Sequence, residues 1–159
     1  MAARKPPDAE QARTRALRLL ARREHSAREL QHKLAVRGVE QAQAAAVVGE
    51  LAQAGWQSDA RYVGSLVRSR VAQGYGPLRI ESELIAAGVA EPLAREALAG
   101  AGADWAQLAE DLRRRKFGAL PAAAAQWQKQ YRHLAARGFE ARHIYRALKS
   151  EAPPEEQDP

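Results

Sequence analysis

The sequence predicts an all-α protein of three tandem three-helix repeats, helix-turn-helix-like units in an extended curved array. Three observations predict it. Apolar residues recur at helical spacing, as in Ala44, Val47, Val48 and Leu51, and no segment alternates with period 2 over strand length. Of 159 residues 36 are Ala, so bulky core formers are scarce and close helix packing suits the composition better than a thick sheet. Gly38, Gly88 and Gly138 stand 50 residues apart, each preceded by Leu four positions earlier (Leu34, Leu84, Leu134) and followed by an apolar residue (Val39, Val89, Phe139). Ala44, Ala94 and Ile144 keep the same register, as do Val48, Leu98 and Leu148.

The repeated Gly marks a helix end. Glycine takes the left-handed position after the last turn at low cost, and the next apolar residue packs back on the helix. Each repeat therefore holds a helix, a Gly turn and a second helix, with a further helix in front. In the first repeat Asp8 with Gln11 caps a helix running to about His25. Ser26 and Glu29 form a capping box that starts the next. In the second, Asp59 caps a helix with Tyr62, Val63, Leu66, Val67 and Val71 inward. Gly74-Tyr75-Gly76-Pro77 breaks it, and Pro77 suits the first position of the following helix. In the third, Asp104 caps a helix with Trp105, Leu108, Ala109 and Leu112 on one face, broken at Gly118 and Pro121. The reading is nine helices, with repeats at 8–58, 59–103 and 104–150. Each repeat is too small for a secure core alone, so neighbours are expected to bury area against each other. Residues 1–7, with Pro6-Pro7, and the acidic tail 151–159 are expected to be disordered.

Charge is uneven. The net formal charge is +6, made of +4 over 1–58, 0 over 59–103, +6 over 104–150 and −4 over 151–159. A basic body predicts an acidic partner, either nucleic acid or an acidic protein face. The third repeat is the most basic. On its second helix Lys129, Arg132 and His133 share a face away from Trp127, Tyr131 and Leu134. On its third helix Arg142, Arg146 and Lys149 stand at i, i+4 and i+7, opposite Ile144 and Leu148. Arg137 ends the second helix. Arg113-Arg114-Arg115-Lys116 closes a helix, where cations complement the dipole. Four consecutive residues sweep about 300° of a helix, so one or two of them are expected to meet a partner. In the first repeat Arg22, Arg28, Lys33 and Arg37 are further candidates, the last two sharing a face. Arg79 is assigned to the Gly-Pro turn. The nine aromatic residues are expected mainly in the core, Tyr75 being the exposed exception.

Several function classes lack their residues. Cysteine is absent, which removes disulfides, zinc ribbons and thiol nucleophiles. The four His include no His-Glu-x-x-His pair, and no metal or other cofactor is expected. No Walker loop, Gly-x-Gly-x-x-Gly or Gly-x-Ser-x-Gly occurs, and no nucleophile-base constellation is evident, so no enzyme is expected. The first 20 residues carry five cations and no apolar core, so no signal peptide is predicted, and the expected location is cytoplasmic.

Two segments carry a family resemblance: Arg23-Glu24-His25-Ser26-x-x-Glu29-Leu30 with Lys33-Leu34-x-x-Arg37-Gly38-Val39, and Gly76-Pro77-x-Arg79-Ile80 with Glu83-Leu84 and Gly88-Val89. With Arg132-x-Leu134-x-x-Arg137-Gly138-Phe139 they make residues 14–149 resemble the RecX family, bacterial modulators of the RecA recombinase. The resemblance implies an all-helical protein without catalysis of its own. It implies binding to the RecA–DNA filament and restraint of filament growth, strand exchange, ATP hydrolysis and co-protease action, hence modulation of DNA repair and the SOS response. Single- and double-stranded DNA would be weaker partners without sequence specificity. On this reading the cations above face DNA or acidic recombinase surface, while Ser26, Gly38, Gly76, Pro77, Gly88 and Gly138 build turns. The alternative is a DNA-binding architectural or transcriptional protein with helix-turn-helix-like repeats. A reading helix concentrates Arg, Asn and Gln in its first turn, whereas the cations of 129–149 spread along whole helices.

Overall fold

The computed structural model describes residue 3 and residues 5–155. The expectations for the two chain ends fall partly on residues 1, 2, 4 and 156–159, which lie outside the described residues. Among the described residues nine helices and no strand form: α1 (Ala9–Arg22), α2 (Ala27–Val36), α3 (Gln41–Gln53), α4 (Asp59–Ala72), α5 (Pro77–Ala86), α6 (Glu91–Ala99), α7 (Trp105–Phe117), α8 (Ala124–Ala136) and α9 (Ala141–Leu148). Among the described residues no helix is long and apolar enough to cross a membrane.

Helix starts follow the capping residues, with two differences. Asp8 accepts from the Gln11 amide at 2.9 Å while Gln11 returns the bond at 3.1 Å, a full capping box. Asp104 accepts from the Gln107 amide at 3.1 Å. Ser26 accepts from the Glu29 amide at 3.1 Å, but the Glu29 carboxylate is taken by Arg23 and returns nothing to Ser26. Asp59 does not cap α4. Ser58 does so, accepting from the Arg61 amide at 3.2 Å, and the Asp59 carboxylate accepts from the Ala27 amide at the start of α2 at 2.9 Å. α1 also stops short of His25, because Arg23 turns extended and His25 folds inward.

The chain divides into two compact units that cut through the middle repeat. One joins the chain up to Ser65 with Leu84–Ala94, and the other joins Leu66–Glu83 with the chain from Arg95 onward. The first has a core of small and branched residues, among them Ala12, Ala16, Leu30, Leu34, Val47, Val48 and Leu51. The second packs Ala109, Trp127, Leu134, Phe139, Ile144, Ala147 and Leu148, with Tyr131 stacked on Trp127 at 5.1 Å between ring centroids. Phe139 follows the Gly turn and is fully buried; burial of such a side chain contributes about 3 kcal/mol.

The same joint occurs once in each unit, displaced by 50 residues. In the first unit the Ser26 hydroxyl donates to the Ala87 carbonyl at 2.6 Å, and Arg28 lies against Gly88. In the second unit the amides of Gly76 and Leu78 donate to the carbonyls of Arg137 and Gly138, at 2.8 and 2.9 Å. Each joint sets the N-terminus of one repeat's middle helix on the Gly turn of the next repeat. In the second joint unsatisfied amide groups at a helix start thereby meet carbonyls left over at a helix end, while in the first the Ser26 hydroxyl plays that part. This is why Gly88 and Gly138 carry no side chain: a Cβ on Gly88 would lie 2.5 Å from Arg28 Cδ, and one on Gly138 would lie 2.6 Å from the Arg79 amide nitrogen.

Candidate functional site

The third repeat supplies one cluster of outward cations. α9 is sharply two-sided: Ile144, Ala147 and Leu148 are buried while Arg142, Arg146 and Lys149 are exposed. These three cations line one concavity of about 470 Å³ together with Tyr145, Ser150 and the single carboxylate of Glu151. Arg142 pairs with Glu140 at 2.7 Å, whereas Arg146 and Lys149 meet no carboxylate among the described residues. On α8, Lys129 and Arg132 are exposed beside the inward Trp127, Gln130 and Leu134. Neither forms an ion pair among the described residues. Exposed pairs contribute little, so the Glu140 pair leaves Arg142 free to exchange partners.

The run Arg113 to Lys116 splits by helix phase. Arg114, Arg115 and Lys116 are exposed, Arg114 pairing with Glu110 at 2.8 Å. Arg113 is only 3% exposed and donates through Nη1 to the Gly118 carbonyl at 3.2 Å. It holds the α7–α8 connection, together with Gln130, whose amide nitrogen donates to the Ala119 carbonyl at 3.2 Å. Arg113 therefore offers no surface charge. Replacing it by Met is expected to leave partner and DNA affinity within about twofold per folded molecule, since exposed cations dominate such binding. Fluorescence anisotropy on the folded fraction checks this, and a tenfold loss would return Arg113 to the surface.

Arg137 is also used internally. Its guanidinium donates to the Gln73 carbonyl at 2.6 Å and the Gly74 carbonyl at 3.3 Å, and lies 4.1 Å from the Tyr75 ring centre. Arg79 covers the same ring at 4.6 Å. Tyr75 is thus clasped between two arginines and half-buried, where an exposed loop ring was expected. The exposed aromatic is instead Trp56, at 59%, on the turn after α3; a terminal turn residue escaped the stripe argument.

The first-repeat candidates divide similarly. Arg22 and Arg37 are exposed. Arg28 lays its stem over Gly88. Lys33 points its ammonium at His25 Nε2, 3.1 Å away, and at Glu29, 3.7 Å away. The other His25 nitrogen lies 3.0 Å from the Arg23 carbonyl. That carbonyl needs a donor and the ammonium needs an acceptor, so the ring is neutral with its proton on Nδ1. Burial, followed by the charges of Arg23 and Lys33, holds the imidazole below its ordinary pKa. Burial also lowers His133, aided by Lys116 and Arg137, and lowers His143 against the opposing pull of Glu140.

A lowered histidine binds fewer protons when folded than when unfolded. Its contribution to stability is complete above the unfolded value near 6.5 and declines as pH falls through it. The thermal midpoint is accordingly expected to drop between pH 7.5 and pH 5.5. Part of the drop should vanish in His25→Gln. A midpoint level across this range would remove the assignment of neutral buried histidines.

Comparison with known proteins adds to this geometry. Models of the first, second and third three-helix domains of RecX match residues 12–51, 58–98 and 103–148. A regulatory protein RecX from Stenotrophomonas maltophilia (strain R551-3) is 45% identical over 136 residues, covering 85% of this chain and 83% of that protein. Another, from Xanthomonas campestris pv. campestris (strain B100), is 47% identical over 131 residues, covering 82% of this chain and 81% of that protein. The crystal structure of RecX from Lactobacillus salivarius superposes with a TM-score of 0.75 at 18% identity, over 89% of this chain and 94% of that chain. At that identity it shows a shared fold.

Proposed function

The chain belongs to the RecX family of regulatory proteins, and from that premise we propose that it docks on a RecA–DNA filament and restrains it. The restrained activities are filament growth, strand exchange, ATP hydrolysis and co-protease action, and the site of action is the cytoplasm. The observation that carries the reading is the pair of outward cationic helix faces in the third repeat. Lys129 and Arg132 on α8, with Arg142, Arg146 and Lys149 on α9, stand on a buried apolar backing that fixes their direction. Arg114, Arg115 and Lys116 extend the same charge, and Arg22 and Arg37 supply cations in the first repeat.

Such faces match polyanions and acidic protein surface alike, without a base-reading first turn. Bare DNA is therefore a weaker and non-specific partner, and specificity comes from the recombinase. Regulation here is binding: the protein stabilises one state of the filament by its differential affinity for it.

The test is RecA's DNA-dependent ATPase and filament length, titrated with this protein well below the DNA concentration. Bare-DNA binding is recorded at the same salt. Inhibition at substoichiometric protein is expected. Inhibition only when protein coats the DNA would favour a simple DNA-binding protein, and none at all would overturn the reading.

A further inference from the structure

The Gly turn of the first repeat is a third copy of the joint, and no described helix occupies it. Its geometry matches the other two. Gly38, Gly88 and Gly138 have φ of 91°, 84° and 94°. Each donates its amide to the residue three before it at 3.0 Å. Val39, Val89 and Phe139 each bond back to the preceding Leu at 3.0–3.2 Å. At Gly88 and Gly138 a helix start lies so close that a Cβ has no room. At Gly38 the nearest atom to such a Cβ is Pro7 Cδ, an ordinary 3.7 Å away. The carbonyls of Arg37 and Gly38 receive no hydrogen bond among the described residues, and both residues are exposed.

The turn opens into a concavity of about 700 Å³ whose charged lining is Lys5, Arg15, Arg18 and Arg37 against the single carboxylate of Glu10. None of these four cations forms an ion pair among the described residues. The surroundings thus combine two features. The turn itself presents carbonyls at the negative end of α2, and the rim presents positive charge. A helix N-terminus satisfies both: its free amides meet the carbonyls, and acidic residues, favoured in a first helical turn, meet the rim. A nucleic-acid backbone meets only the rim and is repelled by the carbonyls and Glu10.

We propose that the Gly38 concavity is a vacant repeat joint that receives the acidic N-terminal turn of a helix of the recombinase. This rests on the filament reading above and assigns one contact within it. Docking copies the internal joints: a small or cap residue at the Gly turn, then a helix leading away. Pro7 lies at the mouth of the turn and lacks an amide hydrogen, so it leaves the carbonyls open and is displaced or packed alongside on docking.

The test places a photoreactive benzophenone side chain at Thr14, an exposed residue lining the concavity, in the full chain. The protein is mixed with RecA filaments on oligo-dT and irradiated, with co-sedimentation and ATPase inhibition measured on the same sample. The expected product is an adduct with RecA that maps to the first turn of a helix. Its yield should fall at least tenfold in the Arg18→Glu, Arg37→Glu variant, with circular dichroism unchanged. An adduct with DNA, or with a second copy of this chain, overturns the proposal. So does the absence of any adduct while the protein still sediments with filaments and inhibits them, an outcome that leaves the filament reading intact. Loss of sedimentation and inhibition by the unmodified protein overturns both.

Discussion

Gly76→Ala is expected to destabilise the protein by about 3 kcal/mol, although it adds one methyl group. The added Cβ would lie 2.5 Å from the Phe139 amide nitrogen and closer still to the Gly138 carbonyl. Both neighbours are backbone, and no side chain can swing away to make room. The joint must open, and the two bonds from Gly76 and Leu78 to Arg137 and Gly138 then lengthen or break. Gly138→Ala meets Arg79 from the opposite side and adds the strain of a φ of 94°. For a chain of this size, 3 kcal/mol lowers the thermal midpoint by roughly 6–12 °C. Gly49→Ala provides the contrast. Gly49 lies inside α3 with nothing within 4 Å of a built Cβ, so the same methyl group should stabilise by about 0.5–1 kcal/mol. Thermal unfolding followed at 222 nm measures all three. A Gly76→Ala midpoint within 2 °C of the parent would show that the joint does not hold the second unit together.

The repeat was legible because a Gly turn leaves a fixed local signature: Leu four before, an apolar residue one after, and a new helical stripe. The cationic face of α9 was legible for the same reason, since Ile144 and Leu148 fix which side is outward. The joint itself was not. Ser26 and Gly76 share a register, but their partners, Ala87 and Arg137, lie 61 residues further on. No local pattern announces a contact of that span. The same limit explains Asp59. By spacing it is an N-cap, yet its carboxylate serves the Ala27 amide 32 residues earlier, leaving Ser58 to cap α4. Arg113 departs from its expectation, being buried where a surface cation was expected. Helix phase required that some of four consecutive cations turn away from a partner, but which one turns into the core depends on the α7–α8 connection. There the Gly118 carbonyl needed a donor and Arg113 reached it. Tyr75 and Trp56 exchanged their expected environments because both lie in turns, where stripe arguments have no purchase and only tertiary neighbours decide.

Arg132→Glu, Arg142→Glu and Arg146→Glu together are expected to weaken filament binding by two orders of magnitude or more at 0.15 M salt, with the helical spectrum unchanged. The fold should tolerate the change because all three side chains face solvent and none bridges to the core. Arg142 is 75% exposed and loses only its pair with Glu140, which contributes little. Binding, by contrast, sums their effects. Each cation that neutralises a phosphate contributes a salt dependence of about 0.7–0.9 in log K per log salt, and reversal replaces an attraction with a repulsion. The triple variant should therefore show both lower affinity and a shallower salt slope, by about 2–3. The single variants should rank. Arg146 has no carboxylate partner among the described residues, so Arg146→Glu should cost more than Arg142→Glu, whose parent side chain already shares its charge with Glu140. Arg137→Glu is a poor substitute for any of them. It would remove the donors to Gln73 and Gly74 and uncover Tyr75, so a loss of binding there would report unfolding of the joint. The decisive comparison is of salt slopes. If affinity falls while the slope stays at the parent value, the three cations act through shape and not charge. If a well-folded triple variant binds filaments as tightly as the parent, the third repeat is not the docking face, and the cations of the first repeat must carry the contact.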